Sequence, residues 1–512
     1  MAAEADNAFL NGNRGAITAC AIVATLMQAL DTTIANVALP YMQGSVSASQ
    51  DQIDWVLTSY IVAAAIMTPP TGFLAGRFGL KNLFLASITG FTVASMLCGM
   101  AQSVTQIVLF RVLQGAFGAA LVPLSQTVLL NTYPRERQGF AMALFGMGVM
   151  VGPVLGPVLG GWLTENYSWR WVFYINLPIG IVALLGMVVF LPDTPRDAKQ
   201  KLDWFGFGTL SLAIGALQVM LDRGEQKDWF GSGEIWIEAI VAAGAFYLFL
   251  VHTFTAEKPF VRPALFRDRN FAAGVLFVSV VGLTYYSSMA LQPPYLQTLM
   301  GYPVVTAGMV MGPRGMGTMA SMLIVGRLTG RMDTRILLGI GLALTAWSFN
   351  QMTGWTPDVS QQTIVIIGFI QGAGLGFLFV PLSTVTFSTL PADTRAEGTG
   401  LYNLSRNIGS SVGISVVSAL LVENTQANHA DIASYVTPFN HAFAAPAAEA
   451  VSPLTAAGRA ALDVLVTTQA TIISYIDDFK LLMLMSIAVM PLVFLLRKSA
   501  APTQVDHSAI ME

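Results

Sequence analysis

Residues 72–77 read Gly-Phe-Leu-Ala-Gly-Arg and residues 326–331 read Gly-Arg-Leu-Thr-Gly-Arg, so Gly72, Leu74, Gly76 and Arg77 return as Gly326, Leu328, Gly330 and Arg331. A second pair follows in the same order. Gln114-Gly-Ala116 with Val122-Pro-Leu-Ser125 comes back as Gln371-Gly-Ala373 with Val380-Pro-Leu-Ser383, one residue longer between its parts. Chance supplies one short match easily. Two, both displaced by about 254–258 residues, predict that the chain is an internal repeat.

Around these motifs the chain is apolar. Of 512 residues, 54% are hydrophobic and only 11% are Asp, Glu, Lys or Arg, against roughly 25% charged in a soluble domain. Such a surface fits a bilayer better than water. Spans need about 20 largely apolar residues, and scanning predicts fourteen: 15–38, 54–75, 82–101, 105–130, 139–162, 170–191, 205–221, 235–254, 271–292, 304–326, 335–354, 362–389, 397–422 and 479–497. The repeat shifts by eight spans, an even number that preserves orientation, as in transporters built from parallel halves. The expected fold class is an all-α polytopic membrane protein. Its parts are a tail (1–14), a six-helix bundle (15–191), a linker with two inserted helices (192–269), a second six-helix bundle (270–497) with an outer loop at about 423–477, and a tail (498–512).

Lys and Arg orient it. Most of the 26 fall in segments on the side of the termini, while Arg170, Arg223, Lys227, Arg459 and Lys480 fall on the other; the positive-inside rule makes both termini cytoplasmic. The N-terminus has no basic region or cleavage site ahead of its first apolar run, which is read as a retained helix. A net charge of −3 argues against nucleic acid as a partner. Cys20 and Cys98 lie in apolar runs and imply no disulfide framework. The four histidines have no metal-ligand spacing, and neither a phosphate-cradling Gly-Lys-Ser/Thr loop nor a nucleophile–base arrangement is present. No enzyme, metal or cofactor is expected.

Charge inside the spans carries the chemistry. A central Asp costs about 2.5–3.5 kcal/mol on insertion scales, so it faces a partner or an aqueous cavity. Asp31 lies roughly 12 Å from the outer end of span 1, and Arg111 roughly 9 Å from that of span 4, at 1.5 Å per residue. Two readings stay open: a static ion pair, or a protonation switch in which burial favours the neutral acid and Arg111 the carboxylate. One proton crossing ~150 mV releases about 3.5 kcal/mol, enough for a concentration ratio of a few hundred. The run Gly148–Gly161, with Gly152, Pro153, Gly156, Pro157 and Gly160, is either tight packing or a pliant gate. Arg314 and Arg406, each mid-span, either bond backbone carbonyls and waters or line the cavity and meet anionic or polar substrate atoms. Met27, Gln28, Gln114, Gln292, Tyr295, Phe377 and Asn403 join them as cavity candidates.

These residues together resemble the major facilitator superfamily, in particular its fourteen-helix drug:proton antiporters of the EmrB/QacA type. Leu30-Asp-Thr-Thr-Ile-Ala-Asn36-Val-Ala-Leu-Pro40 is similar to that subfamily's first-helix motif. Gly72 to Lys81, including Arg77, is similar to the superfamily's loop motif, Arg111-Val-Leu-Gln114-Gly115 to its fourth-helix motif, and the Gly-Pro run to the antiporter signature. The resemblance implies two six-helix bundles with two inserted helices, proton exchange at Asp31 tuned by Arg111, and gating through Gly72, Arg77, Lys81 and the Gly-Pro helix. It also implies export of hydrophobic drugs from a bacterial inner membrane, with a periplasmic membrane-fusion adaptor and an outer-membrane channel as partners. A dedicated exporter of one native metabolite (a siderophore, fatty acid or antibiotic) is the alternative. Gly76 stands where the loop motif carries an acid, which predicts that an interdomain ion pair is missing or replaced.

Overall fold

A computed structural model describes residues 13–194, 196–197, 201–437 and 454–497. The predicted tails lie almost wholly outside these residues, as does the middle of the outer loop. Among the described residues the regular structure is helical apart from one isolated bridge, Thr329 with Met332, and eleven helices are long and apolar enough to cross a membrane. A twelfth is the pair α2 (Gln50–Met67) and α3 (Thr71–Phe78), bent by 58° at Pro69-Pro70, where proline removes donors and disfavours helix in the residue before it.

The first half comprises α1 (Arg14–Ser45), α2 and α3, α4 (Leu80–Met100), α5 (Val104–Gly118) with α6 (Leu121–Thr132), α7 (Gln138–Asn166), and α8 (Trp171–Tyr174) with α9 (Asn176–Phe190). Helix starts follow local chemistry: Asn13, Ser103 and Asp203 each accept a first-turn backbone N–H that the helix itself leaves free. The inserted pair is α10 (Trp204–Arg223) and α11 (Gly233–Thr255). The second half comprises α12 (Arg269–Pro294), α13 (Val304–Leu328), α14 (Thr334–Met352), α15 (Gln361–Phe387), α16 (Arg395–Ser434) and α17 (Ala456–Ala488).

The packing repeats as the sequence does. α1 lies on α7 as α12 lies on α16; α2 on α5 as α13 on α15; α4 on α9 as α14 on α17. Atomic contacts fix the register. A Cβ on Gly115 would come within 2.5 Å of the Tyr60 carbonyl oxygen, and one on Gly372 would overlap the Arg314 carbonyl oxygen. Small residues at these crossings let backbones touch. The halves meet where α16 packs on α3 and α6, and where α13 and α15 pack on α7.

Helix ends fall into two sets. On one face Leu80 N donates to Thr194 Oγ1 at 2.7 Å, Arg395 Nη1 to Asn131 Oδ1 at 2.9 Å, Arg335 Nε to the Leu496 carbonyl at 2.9 Å, and Arg497 N to Asn270 Oδ1 at 2.7 Å. On the other, Arg170 Nη2 donates to the Ala101 carbonyl at 2.9 Å and Gln226 Nε2 to Asp54 Oδ2 at 3.1 Å.

Two expectations are adjusted. The spans expected at 304–326 and 335–354 are helices α13 and α14, yet neither is among the twelve apolar enough to count by composition. α13 carries Arg314, Pro313 and several glycines, and α14 has Arg335, Asn350 and Gln351 near its ends. The span expected at 105–130 stands as one apolar stretch, Val104–Thr132, with a turn at Ala119-Ala120 between α5 and α6. The outer loop expected at 423–477 is largely helix: α16 continues to Ser434 and α17 starts at Ala456, zipped by Asn428 Nδ2 donating to Ser474 Oγ at 3.1 Å and by His429 with Asp463 at 3.1 Å. Polarity there marked emergence from lipid, not loss of helix.

Candidate functional site

Asp31 sits in the middle of α1, fully buried, and side chains from α5 and α9 close around it. Arg111 Nη1 from α5 donates to Asp31 Oδ2 at 2.6 Å; Gln114 Nε2, one turn on, donates to Oδ1 at 2.7 Å; Asn176 Nδ2 from α9 donates to Oδ1 at 3.1 Å. Arg111 is 1% exposed. It also donates through Nε to the Val56 carbonyl at 3.0 Å and through Nη1 to Gln114 Oε1 at 2.8 Å, and it lies 4.1 Å over the Tyr60 ring. Gln28 Nε2 in turn donates to Tyr60 OH at 3.3 Å. The carboxylate is held by one cation and two amides in a buried pocket, where charge-assisted bonds are short and strong. Protonating it would remove the reason for α5 to grip α1. A buried pair of this kind is weak evidence for stability, because desolvation offsets its attraction.

The Gly-Pro run lies directly behind. A Cβ on Gly152 would come within 2.5 Å of the Ala29 backbone, and one on Gly156 would overlap Thr33 Oγ1. Thr33 Oγ1 donates to the Gly152 carbonyl at 3.1 Å. These glycines, with Gly160 against Ile34, let α1 press onto α7 on both sides of Asp31. α7 runs unbroken through Pro153; the Pro157 side chain lies outside the described residues. The opposite face of α7 touches the second half: Phe145 stacks on Phe379 with centroids 6.2 Å apart, and Val154 fills the space beside Gly315. α7 therefore joins the acid-bearing helix to the other bundle.

The second half has the matching place without the acid. Gly152 meets the Ala29 carbonyl as Gly413 meets that of Leu283, a shift of 254 residues between α1 and α12. Gly72 and Gly326 give the same shift between α3 and α13. It carries Asp31 to Tyr285 and Tyr60 to Arg314. The guanidinium of Arg314 lies 4.3 Å over the Tyr285 ring, donates to the Tyr285 carbonyl and to Gln292 Oε1, both at 3.2 Å, and has only neutral partners. Gln292 Nε2 donates to Gln371 Oε1 at 3.3 Å, and Gln371 Nε2 to Ser288 Oγ at 2.9 Å. Between the halves lies a narrow slot of about 20 Å³, collapsed in this state and walled by Val149 and Met150 of α7 and by Tyr285, Tyr286, Phe379, Tyr402 and Arg406 of the second half.

The slot is shut toward the face that carries Gly79 and Gly330. Thr127 Oγ1 and Thr399 Oγ1 are 2.8 Å apart, Asn403 Nδ2 donates to Gln126 Oε1 at 3.0 Å, and a Cβ on Gly72 would come within 2.5 Å of Glu397 Cα. Gly76, where the loop motif carries an acid, uses its carbonyl to accept from Asp197 N at 2.9 Å. The nearby acid comes from the other half: Glu397 Oε2 accepts from Arg262 Nε at 2.7 Å. Lys81 reaches Asp193 at 3.7 Å, and the Arg77 guanidinium lies 5.9 Å from the Phe78 ring.

The candidate residues thus separate. Asp31, Arg111, Gln114 and Gln28 converge on one cage; Gln292 and Arg314 form its counterpart; Arg406 lines the slot; Asn403 bridges the halves at the closed end. Met27 is packed core, 0% exposed and 4.0 Å from Thr92 Oγ1. Tyr295 is buried among Trp355, Tyr475 and Phe479, off the slot, and Phe377 is partly buried core. The sequence reading did not single out Tyr60, Tyr285, Tyr402 or Asn176 as site residues, although the 254-residue shift relates Tyr60 and Tyr285 to polar positions. It also passed over Asp478, which is 1% exposed with one oxygen unpartnered, because it lies just before the span expected at 479–497, inside a helix that begins at Ala456.

Comparison with known proteins agrees with this architecture. The Major Facilitator Superfamily family matches residues 21–414. The multidrug export protein EmrB of Haemophilus influenzae is 38% identical over 83% of this chain and 84% of its own length. The fatty acid resistance protein FarB of Neisseria gonorrhoeae is 38% identical over 82% of this chain and 83% of its own. Among solved structures, the human organic anion transporter MFSD10 superposes with a TM-score of 0.59 at 13% identity, covering 93% of this chain and 99% of that one, a likeness of fold alone. With its two repeated bundles and these relatives, the chain is a multi-pass membrane transporter, not an enzyme, and belongs to the major facilitator superfamily and its EmrB-type exporters.

Proposed function

We propose that the protein is a proton-coupled antiporter that exports hydrophobic and amphipathic molecules across a bacterial inner membrane by alternating access. The observation that carries this is the Asp31 cage, set on the helix that α7 ties to the opposite bundle. Protonation from the outer side neutralises Asp31 and frees α1 from Arg111; the bundles rock, the contacts at Thr127 and Asn403 part, and the proton leaves inward as the carboxylate is regripped. Arg111 keeps the Val56 carbonyl, Gln114 and the Tyr60 ring while the acid is neutral, so its charge is never stranded. Substrate rides in the slot, which both bundles wall. The experiment is ethidium extrusion from vesicles: an imposed pH gradient drives it and nigericin stops it, whereas extrusion indifferent to the gradient overturns proton coupling.

The chain crosses the membrane fourteen times, with both termini cytoplasmic. What supports this is the alternation of helix ends between two faces, with α13 and α14 crossing the bundle like the rest, and the crowding of Lys and Arg on one of those faces. In intact spheroplasts an impermeant maleimide labels Asp228→Cys and spares Gly330→Cys; the reverse pattern inverts the topology. As in the exporters it resembles, the pump works with a periplasmic adaptor and an outer-membrane channel. Export of a single native metabolite is the second reading, supported by the likeness to the fatty acid resistance protein FarB.

A further inference from the structure

Resting on the antiporter reading, we propose that Asp478 is a second proton site of the transport cycle, loaded from the outer side and emptied toward the slot. α17 packs on α16, α14 and α12, and its Asp478 carboxyl is 1% exposed with no hydrogen-bond partner for Oδ2. Its neighbours on the buried face of α17, Tyr475 and Phe479, pack on Tyr295 with ring centroids 5.2 and 6.4 Å apart, and Trp355 lies 5.8 Å from Phe479. Among the described residues no cation pairs with it. Lys480 and Asp477 on its own helix are exposed, as are Glu423 and Asp431 of α16, while His429 is taken by Asp463. Arg269 of α12 and Arg335 of α14 bond the Leu495 and Leu496 carbonyls at the inner end, and Arg406 of α16 turns to Asn407. A carboxylate so placed has neither water nor a countercharge, so the neutral acid is the form this cluster accepts.

Position separates this acid from a passive core residue. Val172, Phe173, Asn176, Gly180 and Met187 are buried on α8 and α9; a shift of 302 residues carries them to Ser474, Tyr475, Asp478, Leu482 and Val489, buried likewise. This shift exceeds 254 because the hairpin between α16 and α17 is longer than the link from α7 to α8. Asp478 therefore stands where Asn176 stands, and Asn176 is the residue with which α9 holds Asp31. The acid missing from α12 is present on α17. Outward, the exposed Asp477 adjoins it where the helix emerges from lipid. Inward, Gln292, one turn before Tyr295, belongs to a hydrogen-bonded row with Gln371, Ser288 and Arg314 that ends at Tyr285 on the slot wall. Loading moves one proton from outer water to the Asp478 carboxylate; release delivers it to the cytoplasmic side when the slot opens inward. Asp31 still gates the cycle: without its grip the bundles rock whatever Asp478 binds, and both protons are uncoupled.

The consequence is a stoichiometry of two protons per cargo. Proteoliposomes holding the full chain, clamped at zero potential with valinomycin and equal potassium, are given an ethidium gradient of about tenfold, and an opposing pH gradient nulls the protein-dependent flux. One proton per ethidium balances that gradient at about one pH unit, two at about half a unit. The wild type nulls at the half unit, Asp478→Asn at the full unit, and Asp478→Glu returns to the half. Dicyclohexylcarbodiimide, which attacks neutral carboxyls in apolar surroundings, marks Asp478 in a peptide map of the wild type. A wild-type null at the full unit, an unshifted null in Asp478→Asn, or an unmarked Asp478 overturns the proposal; the wild-type null and the mark decide if the variant fails to insert. A null at the full unit leaves the antiporter standing on Asp31 alone. Ethidium flux that no pH gradient nulls would remove the antiporter itself.

Discussion

An Asp31→Asn transporter loses gradient-driven extrusion completely yet still equilibrates substrate across the membrane. Asparagine has the shape of aspartate, and its oxygen keeps the bonds donated by Gln114 and Asn176 at 2.7 and 3.1 Å. What it cannot do is bind and release a proton. The work available from each proton, about 3.5 kcal/mol at ~150 mV, then has no point of entry. The Asn amide faces Arg111 donor to donor, and removing one partner of a buried pair costs about 3–5 kcal/mol where nothing replaces it. Here the Val56 carbonyl, Gln114 Oε1 and the Tyr60 ring remain for Arg111, so the variant inserts and folds with a lowered melting temperature. Substrate counterflow without a gradient proceeds, because the bundles still rock around the slot. Asp31→Glu recovers part of the coupling. Wild-type extrusion by Asp31→Asn in an imposed pH gradient removes the switch; failure of both variants to reach the membrane makes the pair a structural clamp.

The two ends of that clamp were legible in the sequence because lipid-depth charge is rare. Asp31 and Arg111 stood out by cost, and their similar depths predicted their meeting. Gln114 reads only as a cavity candidate and Asn176 carries no signal as a site residue: neutral amides are tolerated in spans, so nothing in the pattern separates one that grips a carboxylate from one that bonds a backbone carbonyl. Aromatic residues fared worse. Tyr60 and Tyr285 stack on guanidinium groups, while Tyr295 sits in an aromatic cluster, and periodicity gives all three the same signal. The repeat reached further. A shift of 254 residues read from glycine motifs also relates Asp31 to Tyr285, since close helix crossings conserve register even where the chemistry between them has changed. Hydropathy failed at its own boundary, missing the helical continuation of α16 and α17 and with it Asp478, because composition reports where lipid ends and not where a helix does.

Oxidation of a Thr127→Cys/Thr399→Cys double variant stops transport altogether, and reductant restores it. The two hydroxyl oxygens lie 2.8 Å apart across the closed end of the slot, on α6 of one half and α16 of the other. A disulfide there needs little movement of either backbone. One turn along α16, Asn403 reaches Gln126, so the bridge falls within a contact patch and not at a frayed edge. Alternating access requires this patch to open in every cycle, and a covalent bond cannot be broken by rocking. The locked protein therefore binds substrate from the outer side with unchanged affinity while its transport falls to that of empty vesicles. Each single-cysteine variant transports normally under the same oxidant, which excludes effects at Cys20 and Cys98. Full transport by the cross-linked protein would mean that the halves never separate here and that the path lies elsewhere. Failure of the two cysteines to join at all would mean that the closed end is not a state the transporter visits, and the rocking cycle built on it would have to be abandoned.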